Sequence, residues 1–217
     1  MKTGILFSGG KDSSLALYKY SKENVNCLLA MIPKNKDSWM FHKPDLKLLK
    51  KQAEMLGINL ILQKTKGEKE GELDDLRKLI KKGGINKLVI GGIKSNYQGN
   101  RIKGICEELK VELIAPLWDY DANKLWQELL KNKFKIIITK ISCEGIPGEF
   151  VGKIIDKEKF KELKSLAEKH KFRLDFEGGE AETAVLYMPG FKKEIKLEYG
   201  IESEGAYRHF IMVKGIK

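Results

Sequence analysis

The chain has 217 residues, 42% of them hydrophobic and 33% charged, with a formal net charge of +11. That balance excludes a disordered chain and fits a folded protein with a charged surface. No apolar run reaches the roughly 18 to 20 residues of a membrane helix, and Ile5 to Phe7 is far too short for a signal core, so the cytoplasm is the expected setting, with no membrane involvement.

Thr3 to Ser8 reads as a short buried strand, followed by a glycine-containing turn and a helical pattern from Ser13 to Tyr20. Val25 to Ile32 is a second apolar run, stopped by Pro33. Pro44 suits the first turn of a helix that Gly57 ends. Strands are expected at Ile58–Gln63, Lys87–Ile90 and Val111–Ala115, and helices at Glu70–Lys81 and Tyr97–Leu109. Strands alternating with helices at such short intervals predict right-handed βαβ units and a doubly wound, Rossmann-like parallel sheet. Ligands of such sheets sit at the carboxyl ends of the strands.

The rhythm changes after Trp118. A helix over Asn123–Leu130, a strand over Phe134–Ile141, a loop with Gly145, Pro147 and Gly148, and a helix over Lys157–Lys169 follow. Strand-like runs then fall at Thr183–Met188, Glu194–Tyr199 and His209–Val213. The expected organisation is an α/β domain over residues 1–120 and a smaller α+β domain over residues 121–217.

Cys27, Cys106 and Cys143 lie far apart, with no Cys-x-x-Cys pair. This argues against a zinc ribbon or redox dithiol and for buried, reduced thiols. The positive charge admits phosphate-rich partners such as nucleotide or RNA. Most of it is lysine scattered along the chain, as a solvated surface would show.

The residues Ser8-Gly9-Gly10-Lys11-Asp12-Ser13 stand between the first strand and the first helix. Two glycines allow close backbone approach. The helix start aims free N–H groups and its positive dipole end at the same point. The hydroxyls of Ser8 and Ser13 and the charge of Lys11 complete an anion cradle. The spacing satisfies neither the Walker P-loop nor the dinucleotide fingerprint.

This loop resembles that of the N-type ATP pyrophosphatases, also called the PP-loop superfamily. Three further segments narrow the class. They are Ser38-Trp39-Met40-Phe41-His42 before Pro44, Gly91 to Gln98 before Arg101 with Pro116-Leu117-Trp118 downstream, and Glu177-Gly178-Gly179-Glu180-Ala181-Glu182-Thr183 before Pro189 to Lys193. In this order, over nearly the whole chain, they resemble the diphthine–ammonia ligase family.

The resemblance implies an adenylating amide ligase. A carboxylate of diphthine on translation elongation factor 2 attacks the α-phosphate of ATP, and ammonium supplies the amide nitrogen. Ser8 to Ser13 would hold pyrophosphate, with Asp12 as a catalytic residue and ligand of Mg2+. Gly91, Asn96, Gln98 and Arg101 would complete the nucleotide site. Glu180 and Glu182, on one side of an extended stretch, would handle ammonium or meet the trimethylammonium of diphthine. Phe176 stands where a small residue is expected, and Ala181 where an aromatic is common. His42 is a further candidate near the site. Two other readings remain: a tRNA-modifying enzyme of the same superfamily, and an ATP-binding sensor without catalysis.

Overall fold

A computed structural model describes residues 1–34, 44–67, 71–92 and 96–217, without the side chains of residues 96–98. Ser38 to His42 therefore lie outside the described residues. The chain divides into two compact units, Met1–Asp119 and Tyr120–Lys217. Among the described residues, no helix is long and apolar enough to cross a membrane.

The first unit runs β1 (Thr3–Leu6), α1 (Lys11–Tyr20), β2 (Cys27–Pro33), α2 (Leu46–Leu56), β3 (Asn59–Thr65), α3 (Gly71–Gly83), β4 (Lys87–Val89), α4 (Asn96–Glu108) and β5 (Glu112–Ile114). The five strands form one sheet in the order β3-β2-β1-β4-β5, and every pairing is parallel. The doubly wound expectation is met.

Period-two alternation in β2 builds two cores. Cys27, Leu29 and Met31 pack with Leu76, Leu79 and Ile80 of α3 and Ile102, Ile105 and Cys106 of α4. Leu28 and Ala30, equally buried, point to the opposite face. A strand buried on both faces reads as a continuous apolar run, as this one does. The Cys106 thiol, buried beside Glu107, has its pKa pushed up to about 11, with burial the larger cause.

Several boundaries differ from expectation. Pro44 does not enter the first turn of α2, which begins at Leu46 because the Asp45 side chain caps it. Pro33 does not stop β2 but is its last residue, paired with Thr65. The register of β2 with β1 ends at Leu29, so proline lies where one edge of the strand needs no donor. Helix α1 begins at Lys11, two residues early, because Gly10 takes an extended conformation (φ −81°, ψ 175°) and serves as the N-cap.

The second unit contains α5 (Ala122–Lys131), β6 (Lys135–Ser142), α6 (Lys157–His170), β7 (Ala181–Tyr187), β8 (Leu197–Glu204) and β9 (Arg208–Ile216). Its sheet, in the order β7-β6-β9-β8, is antiparallel throughout. Trp126 of α5 is fully buried. It stacks on Phe160 of α6 at 5.6 Å, meets Phe176 edge-on at 6.1 Å, and donates its indole N–H to the Leu174 carbonyl at 2.9 Å.

Candidate functional site

The strand order reverses between β1 and β4, because the chain moves outward from β1 to β3 and then returns to β1's other side. The crevice beyond such a reversal is the ligand position of open parallel sheets. The segment after β1 is Ser8 to Ser13, and the segment after β4 begins near Gly91.

The loop is shaped for an anion. Helices α2, α5 and α6 are each capped by an aspartate side chain, Asp45, Asp121 and Asp156, which accepts a first-turn N–H. Helix α1 is instead capped by Gly10, which makes no side-chain cap bond, and its first turn carries the N–H groups and positive dipole end that suit an anion. Ser13 Oγ donates to the Gly10 carbonyl at 3.3 Å and meets Ser8 Oγ at 3.2 Å. The Lys11 ammonium, 2% exposed, lies 2.9 Å from Asp12 Oδ2.

Gly91 closes the crevice from the β4 side. A Cβ built on it would lie 2.6 Å from Ser13 N, 2.7 Å from Asp12 C and 2.8 Å from Asp12 O. All three are backbone atoms, so no side chain fits and the two segments are in direct contact. Asn96 and Gln98 occupy the first turn of α4, with Arg101 one turn on and partly buried. Gly99 lets the ring of Trp118 approach α4, since its Cβ would be 2.7 Å from Trp118 Cη2.

Gln52 and Glu72 are among the buried polar residues of this unit that the expected site does not include. Gln52 of α2, 1% exposed, donates from Nε2 to the Gly9 carbonyl at 2.8 Å. A polar residue among Leu48, Leu49, Ala53, Met55 and Leu56 was the signal available for it. Glu72, fully buried in the first turn of α3, gave no comparable signal, because acidic residues are common there.

In the second unit, Arg173 clamps Asp175 through two bonds, Nε to Oδ1 at 2.9 Å and Nη2 to Oδ2 at 2.8 Å. This bond chiefly holds the Arg173 pKa above its ordinary value. Phe176 turns into the left-handed region at φ 62° and buries its ring against Trp126. The large side chain at this departure from the family pattern therefore fills core space.

Glu180 and Glu182 are held differently. The Glu180 carboxylate accepts the backbone N–H of Gly178 at 2.9 Å and of Arg173 at 3.2 Å, which folds the glycine loop around it. Glu180 precedes β7, whereas Glu182 lies within it, opposite Lys140 of β6. Glu182 Oε1 accepts from Lys140 Nζ at 2.9 Å, and both side chains are about a quarter exposed.

Cys143 reports on this loop. Burial raises its thiol pKa, the Glu180 charge raises it further, and the Ile146 N–H opposes both. Replacing Glu180 by glutamine removes one raising cause, so more thiolate forms at a given pH. Iodoacetamide at pH 8 should alkylate Cys143 a few-fold (~2 to 5) faster in Glu180→Gln than in the parent, since the thiolate is the nucleophile. Cys27 and Cys106, both 1% exposed, should stay unmodified in the folded protein. An unchanged Cys143 rate would mean that the Glu180 charge does not act on this thiol.

Comparison with known proteins agrees with this anatomy. The family model described as the diphthamide synthase N-terminal domain matches residues 1–113, and that of the diphthamide synthase C-terminal domain matches residues 121–216. A diphthine–ammonia ligase of Mus musculus is 29% identical over 224 residues, covering 91% of this chain and 83% of its own. The Homo sapiens diphthine–ammonia ligase is 27% identical over 221 residues, covering 90% and 82%. A solved structure, a predicted subunit of tRNA methyltransferase from Methanocaldococcus jannaschii, is 18% identical. It covers 89% of this chain and 99% of its own, with a TM-score of 0.43. With models for both domains matched in order along nearly its whole length, the chain belongs to the diphthamide synthase family.

Proposed function

We propose that this protein is an ATP-dependent amide ligase acting on the diphthine side chain of translation elongation factor 2. The observation that carries the reading is the contact of Gly91 with the backbone of Asp12 and Ser13. It brings the Gly10-capped start of α1 and the end of β4 together, a place suited to phosphates, in a chain of the diphthamide synthase family.

The chemistry follows from that crevice. A substrate carboxylate is a poor acyl donor because its oxygen is a bad leaving group. Attack on the α-phosphate of ATP converts that oxygen into part of AMP and expels pyrophosphate. Charge builds on the departing pyrophosphate, and the N–H groups of Gly9 to Ser13 with the Lys11 ammonium stabilise it where it forms. Ammonia then attacks the acyl carbon and displaces AMP, leaving the amide.

Asp12, at the rim of the loop and paired with Lys11, suits a magnesium ion carried in on the phosphates. Among the described residues no group of three His, Cys, Asp or Glu side chains is gathered for a metal. The phosphate oxygens and water would therefore supply most of the ligands, as is usual for this ion. Arg101, Asn96 and Gln98 would complete the nucleotide site, and Glu182 would receive the proton that ammonium must lose. The cytoplasm, where the translation factor works, is the proposed location.

The test is to incubate the protein with ATP, magnesium and ammonium, with and without diphthine-bearing elongation factor 2. The expected products are AMP and pyrophosphate in step with amide on the factor, and only when it is present. AMP formation that requires tRNA instead would overturn the substrate assignment. Tight ATP binding with no AMP under any condition would overturn catalysis.

A further inference from the structure

Outside the family's motifs, one buried polar side chain is placed to act on the phosphate loop. We infer that Gln52 is a positioning residue that sets the orientation of the Gly9–Gly10 peptide, and through it the affinity for the phosphates of ATP. The inference rests on the proposed nucleotide site.

Gln52 sits on the otherwise apolar face of α2 and is 1% exposed. A buried amide in such a place is costly unless bonded. Its Nε2 donates to the Gly9 carbonyl, 43 residues away in sequence, at 2.8 Å. Gly9 itself has φ 77°, and a Cβ on it would lie 2.0 Å from Gln52 Oε1. The amide thus lies flat against a residue that must be glycine, for conformation and for space.

The consequence follows from peptide geometry. In a trans peptide the carbonyl of one residue and the N–H of the next point to opposite sides. The Gly9 carbonyl is drawn inward to α2, so the Gly10 N–H is turned outward. It points toward the exposed Ser8, whose Oγ lies 3.5 Å from Gly10 N. Without Gln52, nothing on α2 holds the Gly9 carbonyl inward, and glycine tolerates a peptide flip. The flipped loop would present a carbonyl oxygen to the phosphates where it now presents a donor. A single amide therefore decides the sign of the dipole that the loop offers an anion.

The variant for the test is Gln52→Met, which keeps length and apolar volume and removes the donor. Gln52→Glu is the second variant, replacing the donor with an acceptor that repels the carbonyl. The Kd for MgATP and for inorganic pyrophosphate is measured by calorimetry, beside the melting temperature without ligand. Both variants should bind both ligands about tenfold more weakly, the cost of one misplaced charge-assisted bond. With MgATP saturating, kcat should fall much less than KM rises. Affinities within twofold of the parent in a folded variant would overturn the inference. A lower melting temperature with unchanged affinities would do so too, reducing Gln52 to a packing role. If the parent protein binds neither MgATP nor pyrophosphate, the nucleotide site falls and this inference with it.

Discussion

Replacing Gly91 by alanine should remove AMP formation almost completely, by about 100-fold or more, and lower stability by roughly 1–3 kcal/mol. The reason is steric. Gly91 does not need a glycine-only backbone, since it is absent from the positive-φ residues. What it lacks is room. The added methyl would enter the first turn of α1, with its nearest neighbours Ser13 N and Asp12 C and O. A flexible side chain could turn aside, but main chain in a hydrogen-bonded helix start cannot. The collision can be relieved only by moving β4 or by moving the loop proposed to hold the phosphates. Shifting that loop separates its N–H groups from the charge they stabilise. Gly104→Ala in α4 is the matched control, because a Cβ there meets nothing within 4 Å. It should keep full activity and gain roughly 0.5–1 kcal/mol, the usual advantage of alanine over glycine inside a helix. Steady-state AMP formation and thermal melting of the two variants decide the matter. Activity of Gly91→Ala within tenfold of the parent would show that the contact does not set the loop.

That contact illustrates what the sequence could and could not convey. The alternation of β1 to β5 with their helices was legible because strands and helices differ in period and glycine or proline ends several of them, as at Pro33, Gly57, Gly83 and Pro116. The Ser8 to Ser13 loop stands out in the sequence because it is contiguous. Gly91 was recognisable as part of a glycine-rich segment, but its partner lies about 80 residues earlier, and no local pattern encodes that distance. Gln52 was missed for the same reason: its role is defined by a carbonyl 43 positions away. The hairpin of β8 and β9 was underestimated on different grounds. It spans Leu197–Glu204 and Arg208–Ile216, whereas the apolar runs ended at Tyr199 and Val213. Gly200, Glu202, Ser203 and Glu204 dilute the alternation in β8. As the last strand of its sheet, β8 exposes Glu202, Ser203 and Glu204 to solvent, and charge on an edge strand guards against pairing with other chains.

The paired carboxylates show how side-chain partners divide two residues that the sequence treats alike. We expect Glu182→Gln to lower kcat for amide formation about 100-fold, the usual contribution of a positioned base, while leaving MgATP affinity and melting temperature near those of the parent. Its ion pair with Lys140 is partly exposed, and such pairs contribute at most about 1 kcal/mol to stability. Glu180→Gln should show the opposite signature. The Glu180 carboxylate gathers the N–H groups of Gly178 and Arg173, and losing two charge-assisted bonds costs roughly 1–3 kcal/mol. Its melting temperature should drop whether or not substrate is present. A pH series separates the two meanings of a Glu182 defect. If Glu182 takes the proton of ammonium, the deficit shrinks as pH rises, because neutral ammonia then reaches the acyl carbon without enzymatic deprotonation. If Glu182 instead receives the trimethylammonium of diphthine, the deficit appears as a raised KM for the elongation factor and does not change with pH. A Glu182→Gln enzyme with kcat and KM within threefold of the parent at every pH would remove this carboxylate from the reaction and leave its bond to Lys140 as a sheet contact.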